Sequence, residues 1–394
     1  MKSKISNDKA NFLFLFMIII VSALLIASGC ERNKEFVSHK ANKEKKTHEI
    51  NNQVVMKDPI VLEDRDFYSI YGWLDDHTIF FTTEENQGGS VYEYDLINGR
   101  KKLLYKSEYP IVTAAASYSK KRILLQSSKS SYMGILTVLD RGGKVYFSKE
   151  IPSTELSFEW NQYDEDKLLV SAFKEDWSFQ SFLVNVVDNA WTPLKIKQPF
   201  ADWLDKNELL YLDWDNDKLS LFAPLIKMNL DDGNTSKIED HVFQVHTLHD
   251  HLLTITVNEN DREHAIYSFY TDSLKKVRSI KLFQLTRYSD WLVPFFDYDV
   301  INSRFITFQP LNSGDVDFYN KGFQLVSYSL KDDSQEMILD DMKNEPLSCS
   351  PSGNYCLYGN YLENLIDMKT KKIMKLVKET STESGEVKSI ERAS

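Results

Sequence analysis

The chain is short of cysteine, glycine and proline, with three, 14 and 10 in 394 residues. It also lacks the common catalytic signatures. No Gly-x-Ser-x-Gly is present, which argues against a fused α/β-hydrolase. There is no His-Glu-x-x-His and no Gly-rich phosphate loop, so the sequence gives no zincin or nucleotide-binding signal. Carboxylates abound, but the sequence pairs no two of them as acid and base. Basic charge is scarce too: 47 Lys and Arg stand against 58 Asp and Glu, a net charge of −11. That balance argues against nucleic acid and against broad adhesion to anionic lipid. The one long apolar run, Phe12 to Ile26, is fifteen residues broken only by Ser22. A membrane-spanning helix needs roughly 20.

What is present begins with a leader. Lys2, Lys4 and Lys9 precede the apolar run, and Ala27-Ser28-Gly29-Cys30 follows it. A charged start, an apolar stretch and small residues form a secretory signal. The segment resembles the signal of bacterial lipoproteins, although Ala27 stands where Leu is commoner. The resemblance implies cleavage between Gly29 and Cys30 and a diacylglyceryl group on the Cys30 thiol. Two or more acyl chains give stable anchoring, at about 0.8 kcal/mol per buried CH₂. An uncleaved anchor with an incidental cysteine is the alternative. Loss of a leader carrying three Lys and one Asp shifts the net charge from −11 to −13.

The expected organisation is a signal peptide over 1–29, a lipidated cysteine and disordered linker over 30–58, a folded domain over 59–378 and a disordered tail over 379–394. The linker is rich in Lys, Glu, Asn and His, a composition that favours disorder. Its basic excess could also rest on anionic headgroups.

The domain repeats. Trp73-Leu74-Asp75-Asp76-His77-Thr78-Ile79-Phe80-Phe81 matches Trp203-Leu204-Asp205-Lys206-Asn207-Glu208-Leu209-Leu210-Tyr211, with a looser copy from Trp160 and a Ser350-Pro351-Ser352-Gly353 turn in the same place. The second strands of the units begin near Ile79, Ile123, Leu168, Leu209, Leu252, Phe305 and Tyr355, at intervals of 44, 45, 41, 43, 53 and 50. Alternating strands and turns such as Asn98-Gly99, Gly142-Gly143 and Asp232-Gly233 complete each unit. Four antiparallel strands every 40 to 45 residues are a propeller blade. The expected fold is therefore an all-β propeller of seven four-stranded blades, with insertions in the last third.

The Trp-Leu-Asp-Asp segment at 73–76, the leader and the spacing resemble the YqgU-like β-propeller lipoproteins. That resemblance implies a domain described as six-bladed, the alternative to seven, and no known active-site residues. With the Lys- and Asn-rich composition, it implies the outer face of a Gram-positive cytoplasmic membrane.

Three candidate sites follow. His246, His249 and His251, with His241 and Asp250 nearby, could ligate zinc. Strand alternation points neighbours to opposite faces, however, so surface imidazoles on a hairpin are the expectation. Asp213-Trp214-Asp215-Asn216-Asp217 is like a calcium loop, but Lys218 replaces its glycine and Pro224 its final glutamate. Cys349 and Cys356 fall opposite one another if Ser352-Gly353 make a two-residue turn, within reach of a disulfide; two buried thiols are the alternative. The aromatics Tyr132, Trp177, Phe179 and Tyr319 fall in loops joining second to third strands, which could border a central opening.

The first strands start at mostly uncharged residues: Tyr71, Val112, Ser157, Ala201, Val242 and Trp291. This favours a non-catalytic, lipid-anchored propeller binding a protein or cell-wall ligand, with no cofactor. The alternative is an exported hydrolase or lyase acting on envelope glycans or esters.

Overall fold

The computed structural model describes residues 60–62, 67–85, 87–215, 220–258, 260–288 and 290–379. Among them every regular element is a strand, save one 3₁₀ turn at Val316–Phe318. Seven four-stranded antiparallel sheets follow one another along the chain. They are blade 1 (67–107), blade 2 (111–152), blade 3 (155–194), blade 4 (202–242), blade 5 (244–283), blade 6 (296–342) and blade 7 (347–375). The second strands start within one residue of the positions marked by the sequence repeat.

The blades exist because neither face of a sheet is left bare. Ile79, Phe80 and Phe81 are consecutive and all fully buried. Alternation sends Ile79 and Phe81 against Leu357 and Leu365 of blade 7, and Phe80 against Ile123 and Leu125 of blade 2. A strand covered on both faces can therefore read as a continuous apolar run. The same sandwiching joins blades 2 and 3 through Leu124, Val138, Leu168 and Val170, and blades 6 and 7 through Phe308, Leu325, Cys356 and Ile366. At the third-to-fourth-strand turns Gly99 and Gly233 take φ +66° and +72°, the left-handed region glycine enters without steric cost.

Blade 7 packs on blade 1, so the ring closes without strand exchange between the two sheets. A separate two-stranded parallel ladder reinforces the junction, Ile60–Leu62 with Val377–Glu379. Ile60 N–H donates to Leu376 O at 2.7 Å, and Leu376 N–H to Glu363 O at 2.8 Å. Glu363 adjoins the third strand of blade 7 (Asn364–Asp367), at its junction with the second. The chain thus enters the ring on the face carrying the second-to-third-strand turns.

Three expected strand starts need correction: the first strand of blade 1 begins at Phe67, four residues before Tyr71. Val242 ends the last strand of blade 4, and Gln244–Thr247 is the first strand of blade 5. Trp291 belongs to an extra three-stranded sheet of Leu285–Thr286, Trp291–Leu292 and Gly314–Asp315, while blade 6 starts at Phe296. That small sheet accounts for the lengthened spacing in the last third.

Candidate functional site

In every blade the first strand runs toward one face of the ring, and the turn after it lies there. Turns from six of the seven blades surround a cavity of about 590 Å³. Blade 1 contributes Leu74, Asp75 and Asp76; blade 2 Tyr118, Ser119 and Lys120; blade 3 Gln162. The rest of the wall comes from 247–249, 297–301 and 348–351 of blades 5, 6 and 7.

One wall is aromatic. Tyr118 stacks on His249 with centroids 3.9 Å apart, and His249 stacks on Tyr163 at 5.9 Å. The Tyr163 hydroxyl donates to His249 O, fixing that turn. Leu74, Leu248, Val300, Ile301 and Pro351 supply apolar surface.

Most charges in the wall are matched internally. Asp75 pairs with Arg141 at 3.0 Å, and Asp299, fully buried, with Arg304 at 2.6 Å. Asp76 accepts from Ser352 N–H at 2.7 Å. Asp297 accepts the backbone N–H groups of Tyr298 (2.7 Å) and Cys349. Burial pushes the Asp297 carboxyl up to about 6 against those bonds and the nearby Lys120 charge. Burial lowers the Lys120 ammonium, opposed by Asp297 and Glu165.

The first strands also carry carboxyls that the sequence did not single out. Glu159 of blade 3 and Asp202 of blade 4 line a second, small cavity of about 90 Å³. Burial raises both, and the charge of Asp202 raises Glu159 further. Glu159 keeps solvent access even though protein encloses it. Glu159-Trp160 and Asp202-Trp203 are acidic–Trp pairs at the ends of first strands; that local likeness was the available signal.

The three candidate zinc histidines have separate partners. His246 bonds Gln244 and meets the Phe296 ring edge-on, and burial pushes it down to about 4. His249 lies in the cavity wall, and His251 bonds Asp250 and the Tyr298 hydroxyl. No group of three or more His, Cys, Asp or Glu among the described residues could hold a metal ion. Asp213 of the calcium-like loop pairs with Lys197 at 2.9 Å, while 216–219 lie outside the described residues.

Cys349 and Cys356 are directly paired across two strands and joined by a disulfide, sulfurs 1.96 Å apart, with Cys349 at the cavity wall. Gly29 and Cys30 lie outside the described residues, as do the leader, the whole linker over 30–58 and the tail save Glu379, which ends a strand.

The loop aromatics do not line this cavity. Tyr132 and Trp177 lie at second-to-third-strand turns, on the opposite face. Trp177 and Phe200 pack around Phe173, with centroids 6.2 and 5.7 Å from it. Phe179 is in the third strand of blade 3, also on Phe173. The Tyr319 hydroxyl accepts from Leu311 N–H and donates to Gly322 O, closing a loop of blade 6.

A sequence profile of the YqgU-like 6-bladed beta propeller domain matches residues 95–359. The chain belongs to that family. The match runs from the close of blade 1 to the second strand of blade 7 and includes five whole blades, so this YqgU-like chain carries more four-stranded sheets than the description counts. It is 26% identical over 306 residues to an uncharacterized lipoprotein YqgU of Bacillus subtilis, covering 78% of this chain and 83% of the relative. It is similar in fold to uncharacterized protein lmo1340 of Listeria monocytogenes, with a TM-score of 0.76, 22% identity, and coverage of 82% of this chain and 98% of that one. The β-propeller domain of the Trilobed protease from Pyrococcus furiosus shares the fold at a TM-score of 0.53 and 13% identity, covering 78% of this chain and 98% of that one.

Proposed function

We propose that this chain is a lipid-anchored, extracytoplasmic binding protein whose ligand enters the cavity at the first-to-second-strand turns. The observation that carries this reading is the convergence of six blades on one cavity with an aromatic wall. Its size is in the range of small-ligand sites, a few hundred Å³ to about 1,000 Å³. The Gly29-Cys30 processing sequence and the relative named as a lipoprotein support anchoring through Cys30. Ile60 joins the ring on the face opposite the cavity. The cell type that fits the Lys- and Asn-rich composition and the Bacillus relative is Gram-positive, with the ring outside the cytoplasmic membrane.

One observation favours a second reading, an exported hydrolase or lyase. Glu159 and Asp202 bring two carboxyls, both raised by burial, to one small cavity, and glycoside hydrolysis uses such a pair.

Two measurements test the binding reading. Labelled fatty acid should enter the native chain and not a Cys30→Ser variant. Cross-linking in intact membranes should capture a ligand or partner that Tyr118→Ala and Ile301→Asp variants no longer hold. Equal capture by those variants, or turnover of a wall polymer that stops on Glu159→Gln, would overturn it.

A further inference from the structure

The cavity holds two opposite charges left apart. The Lys120 ammonium makes no hydrogen bond or ion pair with any described residue, and Asp297 lies close enough for each to shift the other's charge equilibrium. No ion pair within 4.0 Å joins them. Asp297 meets only backbone N–H groups, which leave further acceptor positions on both oxygens. The other acids of the wall are held by Arg141, Arg304 and Ser352.

The backbone at Lys120 points the same way. Ser117-Tyr118-Ser119-Lys120 forms the same turn as Ser350-Pro351-Ser352-Gly353. Lys120 N–H donates to Ser117 O at 2.9 Å, and Gly353 N–H to Ser350 O at 2.8 Å. Two residues beyond each turn, a backbone N–H meets the serine Oγ at 3.3 Å in both blades. Gly353 has φ +69° and Lys120 has φ +62°. A lysine thus stands where blade 7 has Gly353 and blade 6 has Ser303 at φ +52°, at a cost of roughly 1–2 kcal/mol for the left-handed conformation. His249 shares that conformation at φ +63°. Strained residues of this kind gather at ligand sites. Two more polar atoms of the wall, Gln162 Nε2 and His249 Nδ1, are buried without a hydrogen-bond partner.

A lone anion brought to Lys120 would meet the Asp297 carboxylate, and a lone cation at Asp297 would meet Lys120. A ligand bearing both charges satisfies both, and the Tyr118–His249 wall accepts an apolar or planar body. We propose that the cavity binds a small zwitterion of the amino-acid type, a free amino acid or a short peptide with both termini charged. Its carboxylate meets Lys120 and its ammonium meets Asp297. This inference rests on the cavity being the binding site.

The test is calorimetry on the full-length protein in detergent. The probes are the free L-amino acids, a library of L-dipeptides, the N-acetylated and C-amidated forms of each binder, and glucuronate as a plain anion. Saturable binding of unblocked probes is expected. Blocking either terminus should weaken it roughly tenfold or more, the loss of one charge-assisted hydrogen bond. Lys120→Met and Asp297→Asn should weaken it likewise, and Lys120→Gly, which suits the turn, guards against misfolding as the cause. Equal binding of blocked and unblocked probes, or of glucuronate alone, overturns the zwitterion. If Tyr118→Ala then abolishes that binding, the cavity itself stands. No binding by any probe also overturns the zwitterion, while the membrane cross-linking result decides the cavity separately.

Discussion

The indole N–H of Trp73 donates to the carbonyl of Ser348 at 2.8 Å across 275 residues of sequence. Trp203 makes the matching bond to Glu159 O at 3.2 Å, from blade 4 to blade 3. Both tryptophans are buried at the end of a first strand. The junction of blades 7 and 1 that closes the ring is therefore held by the same bond as an internal junction. Removing one donor forfeits a buried hydrogen bond worth about 0.5–1.5 kcal/mol. Trp73→Phe and Trp203→Phe should each lose at least that much in urea unfolding. An unchanged midpoint for Trp73→Phe would mean that the bond does not hold the closure.

The turn comparison gives an unusual expectation for Lys120. Lys120→Gly removes a left-handed side-chain residue, a relief of roughly 1–2 kcal/mol set against the unfolded-state entropy of glycine. The melting temperature should stay level or rise. The converse substitution, Gly353→Ala, should destabilise, because a Cβ there would sit 2.1 Å from Asp299 Oδ2. A marked fall for Lys120→Gly would show that lysine is held there for stability.

The Glu159–Asp202 pair sets a pH dependence. Both carboxyls are raised in the fold by burial, and Glu159 also by Asp202. A carboxyl with a raised folded pKa contributes stability that is complete below its unfolded value and lost as pH climbs through the folded value. Between about pH 4, where unfolded carboxyls titrate, and about pH 8, this pair thus favours the acid side. Wild type should lose more melting temperature from about pH 5 to about pH 8 than Asp202→Asn, which removes one carboxyl and the charge acting on Glu159. Parallel curves would contradict the coupling.

The Cys349–Cys356 bridge closes a short loop, with a sequence separation of 7. Chain entropy for such a loop is worth about 2.5 kcal/mol. Reduction, or Cys349→Ser with Cys356→Ser, should lower stability by about that amount. Intact mass should rise by two hydrogens on reduction. Free thiols in protein taken from membranes would contradict the bridge.

The repeat was legible because each blade spends its sequence the same way: an apolar strand, a polar turn, a second apolar strand. Ile79, Leu168 and Leu209 mark it within one residue. The facing of Cys349 and Cys356 was legible because Ser352-Gly353 set the register. The cavity was not, because six turns supply it and none carries a motif alone. Lys120 and His249 are scattered residues until the ring brings their turns together. The Ser117–Lys120 likeness to Ser350–Gly353 was visible in the sequence, but only a backbone shows that lysine has taken glycine's conformation. The side of the ring was also hidden. Trp177 and Tyr132 were exposed aromatics by pattern, and strand direction, not composition, puts them opposite the cavity.

The most direct measurement compares the two faces. A photoreactive residue replaces Tyr118 in one full-length variant and Trp177 in another, and both are irradiated in intact membranes. A defined adduct from position 118, lost when Lys120→Met is added, is the expected result. An adduct from position 177 alone would put the binding face on the other side of the ring and contradict the account.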